Sequence, residues 1–356
     1  MRRRTSVAIK ILVSCIGLAG CGAPEGVHQS GGGGGAPDAG ASATGGSTNP
    51  RPDSGSGGVP ASPGTGGAGD VMTPDAGAVD ASTSDGGHGT GGAPAPSGSG
   101  RWSGNFDGFN TADWGKAWGV SVPGDSHSFG QNDPGMAAFV DPTSPDGHQV
   151  LKVSYAAKSS ARSCSNCPLP DGGQFYQDLT AVGRSDLANA TVLHMRYYVK
   201  FGDAGQAFDF GKAGKMPGLW GGVAGQESGC VGTGGTSWST RYMWRGGKAE
   251  VYLYDPTHSA GNCGADKFWM SGTWQGDAQW HYVEQAVDRT AGTVDVWYDG
   301  KQALSKQAIG SGYGTIPFRG VFFSTFYGGH ASTWGPSVPT TSYFAKFAID
   351  TAYIGP

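Results

Sequence analysis

Beyond residue 100, hydrophobic and polar residues alternate one by one along several short stretches of the chain. The clearest stretch runs from residue 192 to residue 201, and its apolar positions are Leu193, Met195, Tyr197, Val199 and Phe201. A period of two places these side chains on one face of a β-strand, directed toward a core. The same pattern predicts strands at 150–155, 281–288, 293–299, 319–327 and 343–350.

Helical signals are weak in the same region, where no stretch holds a convincing period of about 3.6 residues. Turns rich in Gly, Pro, Asp and Asn separate the predicted strands, and residues 290–292 indicate a hairpin. Many short strands without helical connections predict antiparallel sheets, and therefore an all-β sandwich or jelly roll. We expect one sheet to curve, so that its concave face forms a cleft for an elongated ligand.

Glycine is distributed unevenly along the 356 residues. Many of the 66 glycines fall between Gly22 and Gly100, where aromatic and branched aliphatic residues are almost absent. Such a stretch buries too little apolar surface to offset its loss of conformational entropy on folding. We therefore predict a flexible tether at 21–100 and one folded domain at 101–356. A coil of about 80 residues has a root-mean-square reach of roughly 50 Å.

The first twenty residues have the pattern of a secretion signal. Basic residues at 2–4 precede an apolar run at 11–19 that is too short to span a membrane. Residues 18–21, Leu-Ala-Gly-Cys, resemble the lipobox of bacterial lipoproteins. The resemblance implies cleavage before Cys21 and lipidation of its thiol, so we expect an exported protein anchored to the cell envelope at the outer membrane or cell surface. The alternative is an ordinary signal peptide followed by an unrelated cysteine.

Four cysteines lie in the predicted domain. Because exported proteins fold in an oxidising compartment, we expect one disulfide between Cys164 and Cys167 and another between Cys230 and Cys263. Zinc is the weaker alternative, since a lone Cys-x-x-Cys without a second pair or clustered histidines is a poor zinc motif.

The charge of the chain does not indicate a broad basic surface that would bind a polyanion. The formal net charge is −4, and acids and bases nearly balance in the folded part. We therefore expect no nucleic-acid partner. Contact with a membrane is expected only through the lipid anchor, and we expect a monomer.

Two predicted strands at 239–245 and 249–254 are separated by a Gly-Gly turn at 246–247. Gly-Gly is favoured in two-residue hairpin loops because both positions of a type I′ turn need a positive φ. In that register Arg241 faces Tyr252 and Ser239 faces Tyr254. All four side chains then project from one face of the sheet.

A patch of this composition suits the breakdown of a uronic acid polymer by β-elimination. Arg241 could neutralise the substrate carboxylate with its planar guanidinium group. A tyrosine could act as base and then as acid if neighbouring cations lower its pKa. The alternative is that the four residues form ordinary stabilising cross-strand pairs.

Four segments in the order 215–222, 239–245, 251–254 and 323–329 resemble the successive signatures of polysaccharide lyase family 14, and 172–176 matches more loosely. That family has a β-jelly-roll fold and comprises alginate and glucuronan lyases that require no metal, so the resemblance implies no cofactor. One departure is that His330-Ala331-Ser332 follows Tyr327 where many members carry a Ser-Asp pair. This departure affects the expected choice of substrate more than the chemistry.

The resemblance also assigns candidate site residues. The family's functional residues fall on Lys215, Ser239, Arg241, Tyr252 and Tyr254. Lys215 lies on a predicted loop and is expected to accept a proton or to bind the substrate carboxylate as a second cation. Further side chains that we expect to line the cleft and bind substrate are Gln174, Tyr176, Trp220, Thr325, Tyr327 and His330.

The function predicted from the sequence is therefore a polysaccharide lyase that acts on alginate, polymannuronate or glucuronan. A retaining glycosidase is disfavoured, because the domain has only three glutamates, Glu227, Glu250 and Glu284, and no run that would pair two of them. A non-catalytic carbohydrate-binding lipoprotein with a lectin-like sandwich is the main alternative, since the same cleft could hold a glycan without cleaving it.

Overall fold

The computed structural model describes residues 100–120, 134–161, 163–229, 232, 234–261 and 263–356. The predicted signal peptide, Cys21 and almost all of the predicted tether lie outside these residues. Among the described residues, no helix combines the length and the apolar character needed to cross a membrane.

Fourteen β-strands are the main elements of the described part. They are β1 (Trp102–Gly104), β2 (Met136–Phe139), β3 (Val150–Tyr155), β4 (Gly173–Tyr176), β5 (Val192–Phe201), β6 (Ala213–Gly221), β7 (Trp238–Arg245), β8 (Lys248–Tyr254), β9 (Ala265–Thr273), β10 (His281–Asp288), β11 (Thr293–Tyr298), β12 (Lys301–Ala308), β13 (Phe318–Tyr327) and β14 (Thr340–Asp350). Two short α-helices, α1 (Ala112–Trp118) and α2 (Ser185–Ala188), and two 3-10 turns at Tyr313–Thr315 and Ser332–Trp334 complete the elements.

The strands form two antiparallel sheets that pack as a sandwich. One sheet has the order β12-β11-β10-β5-β14-β3-β2, with β1 also paired to β14, and the other has the order β4-β13-β6-β7-β8-β9. Each strand pair in the described part of the chain is antiparallel. The predicted all-β sandwich of jelly-roll type is therefore confirmed.

Strand β5 shows how the alternating pattern builds the core. Its five predicted inward side chains, listed above, are at most 1% exposed and belong to the main hydrophobic cluster between the sheets. On its opposite face, His194 contacts Glu284 at 2.7 Å, and Arg196 donates to the carbonyl of Lys346 at 2.8 Å. This face lies on the eight-stranded sheet, away from the six-stranded sheet that carries the candidate site.

Helix α1 was not predicted, because its seven residues contain too few apolar positions to show a helical period. Thr111 caps its start by accepting a hydrogen bond from the backbone N–H of Trp114. Trp114 and Trp118 lie four residues apart on one helical face, and both are buried. The helix therefore closes one side of the core with two indole rings.

The predicted disulfide between Cys164 and Cys167 is present. Cys263 is also disulfide-bonded. Its predicted partner, Cys230, lies outside the described residues, so that pairing stays a prediction.

Phe175 joins α1 to the six-stranded sheet, and its removal tests the core. Its ring stacks on Phe323 with a centroid distance of 4.6 Å and meets the edges of Trp114 and Trp118. Phe175→Ala should lower the free energy of unfolding by about 3–5 kcal/mol because it leaves a cavity. Urea denaturation followed by tryptophan fluorescence measures this change. Phe139→Ala, at a position 40% exposed, is the control, and an equal loss in both variants would contradict the assigned core.

Candidate active site

The β7–β8 hairpin has the register that the sequence predicts. Arg241 pairs with Tyr252, and Ser239 pairs with Tyr254. The two turn glycines have φ values of 54° and 82°, as a type I′ turn requires. The four side chains therefore lie on the same face of the six-stranded sheet. We call this face, which is directed away from the sandwich interior, the site face.

Lys215 belongs to the same site face, although it was predicted on a loop. That prediction is wrong, because Lys215 lies inside β6, opposite Met243 of β7. A β-bulge follows it, since the register with β7 shifts between Lys215 and Gly218. Pro217 lies in this bulge, where its missing N–H costs no ladder hydrogen bond. The proline that suggested a loop at this position therefore marks an irregular strand.

The ammonium group of Lys215 packs directly against the paired tyrosines. Its Nζ lies 3.2 Å from the ring centroid of Tyr252 and 6.0 Å from that of Tyr254. Only 8% of the Lys215 residue surface is exposed. Burial, and then the positive charge of Arg241, hold the pKa of Lys215 well below its ordinary value. A lysine shifted in this direction is suited to accept a proton.

Tyr252 departs from the prediction in its electrostatics. We expected nearby cations to lower a tyrosine pKa, but burial, followed by the neighbouring Tyr254, raises the pKa of Tyr252 above its ordinary value. The opposing effect of Arg245 is smaller. A phenol that holds its proton more firmly is suited to donate a hydrogen bond or a proton to a leaving oxygen rather than to act as the base.

Arg241 is held in place by a relay of polar side chains. Its NH1 atom donates to Oγ of Ser324 at 3.0 Å, and Ser324 donates to Oε1 of Gln174 at 3.0 Å. The guanidinium carbon lies 4.5 Å from the ring centroid of Phe322. Its Nε is buried and has no hydrogen-bond partner among the described residues. The contacts with Ser324 and Phe322 therefore fix the orientation of the guanidinium group.

Ser239 and Tyr176 both bind Glu227, which lies on the loop between β6 and β7. The Ser239 hydroxyl donates to the carbonyl oxygen of Glu227 at 2.7 Å, and the Tyr176 hydroxyl donates to its Oε1 at 2.7 Å. Glu227 itself is fully buried. Ser239 thus positions a loop in this structure, in addition to the substrate contact that the family resemblance implies.

Of the six predicted substrate-binding residues, five divide between the two faces of the sheet and one lies on a loop. Gln174, Tyr176 and Trp220 lie on the site face, where Tyr176 and Trp220 pack with Phe322. Thr325 and Tyr327 point into the sandwich instead, so their predicted position in the cleft is wrong. Thr325 contacts the hydroxyl of Tyr155 at 2.5 Å. Tyr327 packs in the main core and donates its hydroxyl hydrogen to the Asp209 carbonyl.

The reason is the alternation along β13, which places Phe322 and Ser324 on the site face and Phe323, Thr325 and Tyr327 inside. His330, the sixth residue, is exposed on the loop after β13, where its Nδ1 contacts Oγ of Ser163 at 2.6 Å. Applying the period of two to β13 would have selected Ser324 in place of Thr325.

Glu250 is a member of the site face that the sequence did not assign to the site. It faces Met243 and accepts a hydrogen bond from Nε of Arg245 at 3.2 Å. Burial raises the pKa of its carboxyl group to about 7. Arg245 also contacts Asp266 of β9 at 2.8 Å. A buried acid and a bridging arginine therefore border Lys215 and Tyr252.

No three His, Cys, Asp or Glu side chains of the described residues are grouped so that they could hold a metal ion. The expectation that the chemistry needs no cofactor stays a prediction.

Comparisons with known proteins identify the class. The sequence model of the family polysaccharide lyase 14 matches residues 143–347, more than half of the chain. The chain is therefore a polysaccharide lyase. It belongs to the family polysaccharide lyase 14, which favours an enzyme over the carbohydrate-binding alternative.

Several solved structures are similar to this chain. The crystal structure of an alginate lyase from Aplysia kurodai is 24% identical, covers 65% of this chain and 97% of that one, and has a TM-score of 0.46. Alginate lyase Aly36B is 16% identical, with 72% and 99% covered and a TM-score of 0.50. Alginate lyase vAL-1 from Chlorella virus is 20% identical, with 61% and 89% covered and a TM-score of 0.47. No curated protein sequence matches the chain.

The lowered pKa of Lys215 predicts how the free energy of unfolding depends on pH. In the folded state Lys215 loses its proton at a lower pH than in the unfolded chain, so the unfolded state binds more protons between the two pKa values. Lys215→Met removes this cost and should raise the free energy of unfolding by about 1.4 kcal/mol per unit of lowering. The gain should be largest below the folded pKa and fade as pH rises toward the ordinary lysine value.

Urea denaturation across a series of pH values measures this difference. Lys267→Met, which removes a lysine from strand β9 of the same sheet, controls for the general loss of one charge. A Lys215→Met variant that is less stable than the wild type at every pH would contradict the burial of an uncompensated ammonium group.

Proposed function

We propose that this polysaccharide lyase cleaves a uronic acid polymer, either alginate rich in mannuronate or glucuronan, by β-elimination. The observation that carries the proposal is the group on the site face: Lys215 with a lowered pKa lies against Tyr252, beside Tyr254 and Arg241. This group supplies a base, a proton donor and a fixed cation within one buried cluster. These are the three functions that elimination next to a carboxylate requires.

The proposed reaction proceeds around the C5 and C4 atoms of the uronate. Arg241 binds the carboxylate with its planar donors and stabilises the negative charge that develops when C5 loses its proton. Neutral Lys215 takes that proton. The C5–H electron pair forms the C4–C5 double bond, the C4–O bond breaks, and Tyr252 or Tyr254 donates a proton to the leaving oxygen. The proton on Lys215 then returns to the tyrosinate or to water.

The opposite pKa directions of the two groups support this division of roles. Burial lowers the pKa of Lys215 and raises that of Tyr252, so the amine is the better base and the phenol the better acid. Glu250 and Arg245 border the pair, and Ser324 and Gln174 hold Arg241. We propose that these neighbours preserve the orientation of the reacting side chains.

A panel of polysaccharides tests the substrate class. Alginate and polymannuronate come first in the panel because the fold is shared with enzymes named as alginate lyases, and glucuronan and a neutral glucan complete it. The expected result is ultraviolet absorbance from a conjugated unsaturated uronate on at least one uronan and none on the glucan. Mass spectrometry should show products lacking the water that hydrolysis would add.

Matched variants test the roles. Lys215→Met should lower kcat by roughly 10²–10⁴-fold, the usual contribution of a general base. Tyr252→Phe should lower kcat far more than it raises KM, whereas Arg241→Ala should affect both. Absence of product on every uronan at neutral to alkaline pH, in a protein that still binds one of them, would overturn the proposal. So would unchanged turnover in all three variants.

We also propose that the enzyme is exported and anchored to the cell envelope through a lipid on Cys21. The support is the sequence pattern of residues 1–21 and the glycine-rich segment that follows. An anchored enzyme on a long tether could act on a gel-like polymer outside the cell.

Cys21→Ser tests the anchor. In a bacterial host the wild-type chain should fractionate with membranes, and mass spectrometry of its N-terminal peptide should show acyl chains on Cys21. The Cys21→Ser chain should lose both properties and keep its lyase activity. Membrane association that survives the substitution would contradict the proposal.

A further inference from the structure

A cavity of about 430 Å³ opens at the β8–β9 edge of the six-stranded sheet. Its lining residues are Lys248, Ala249, Phe268, Trp269, Gly272 and Thr273. The cavity follows from the pairing of β8 with β9. Lys248 pairs with Thr273, but Glu250, two residues later, pairs with Phe268. The additional residues of β9 must therefore bulge away from β8.

Phe268 and Lys248 give this cavity an apolar surface and a cation. Phe268 is 42% exposed and lies on the site face, because it stands opposite Glu250. The ammonium nitrogen of Lys248 lies 5.6 Å from the centroid of the Phe268 ring. Among the described residues, no carboxylate lies within ion-pair distance of Lys248. The ammonium group is therefore available to an anion from solution.

The cavity lies in line with the proposed base. Lys215 pairs with Met243, Met243 with Glu250, and Glu250 with Phe268, so the four residues form one row across β6, β7, β8 and β9. Three strand spacings separate the ends of the row, which corresponds to about 14 Å along the sheet. A few linked sugar rings span this distance.

We propose that Lys248 and Phe268 form a distal subsite that binds one uronate unit of the polymer, while another unit lies at Lys215. This inference rests on the proposed uronan substrate. The Phe268 ring offers a flat apolar surface to the C–H face of a pyranose, and Lys248 offers a point charge to its carboxylate. A cavity of this volume lies within the range of small-ligand sites. The subsite selects for chain length and for a charged sugar at that distance.

Phe268→Ala and Lys248→Gln test the subsite with oligouronates of increasing length. For chains long enough to reach β9, each variant should raise KM by roughly fivefold, as expected for the loss of one stacking contact or one exposed ion pair. The effect should shrink for short chains that end before β9. The same dependence on length should appear in the dissociation constants of labelled oligouronates, measured by fluorescence anisotropy in the Lys215→Met background.

Two matched controls lie on the same strand. Lys267→Gln removes a charge from the opposite face of β9, and Met270→Ala removes an apolar side chain that is 73% exposed. Neither should change the dependence on chain length. If the wild type cleaves a uronan but Phe268→Ala and Lys248→Gln affect long and short chains equally, the subsite is wrong and the proposed function stands.

If the wild type neither cleaves nor binds any uronan, the proposed function is wrong, and so is the subsite that rests on it. A remaining alternative is that β9, as the edge strand of its sheet, pairs with a second copy of the chain. Sedimentation analysis that shows a wild-type dimer dissociated by Phe268→Ala would overturn the subsite in favour of that interface.

Discussion

The contact between Lys215 and the Tyr252 ring is the interaction on which the candidate chemistry depends. It exists because strands β6 and β8, which flank β7 in the same sheet, bring an amine and a phenol together in a space with little water. The lack of water shifts the two pKa values in opposite directions, because it destabilises the charged form of each group. For Lys215 the charged form is the ammonium ion, and for Tyr252 it is the phenolate. Burial alone therefore separates an acceptor from a donor. Arg241 adds to the effect on the lysine while remaining the fixed charge of the cluster.

This constraint explains why the surrounding residues matter. A buried amine that has lost solvation must be held by packing, and Met243 and the two tyrosine rings provide it. The relay from Arg241 through Ser324 to Gln174 orients the guanidinium group across three strands that are distant in sequence. The site is thus a property of the whole six-stranded sheet, although its reacting groups occupy few positions.

The parts of the structure that depend on local pairing were predictable from the sequence. The alternation along β5 specifies its core face, and the Gly-Gly turn specifies which residues of β7 and β8 meet. Tyr327 follows the local alternation of β13 as well, whereas Lys215 shows where this reasoning fails. The bulge at Pro217 inserts one residue and reverses which positions of β6 face inward, and β6 pairs with β13 far away in the chain. Such long-range registers depend on packing that no local pattern records. The pKa of Tyr252 was missed for a related reason, because its burial depends on neighbours from other strands.

The turn at Gly246 and Gly247 has a consequence for how this enzyme can vary through evolution. Most surface loops accept insertions at small energetic cost. Here one added residue that shifted the pairing would turn Arg241 or the two tyrosines from the site face to the interior. The domain could remain soluble and folded while its reacting groups separated. The length of this loop is therefore expected to be more strictly conserved than the identity of many core residues.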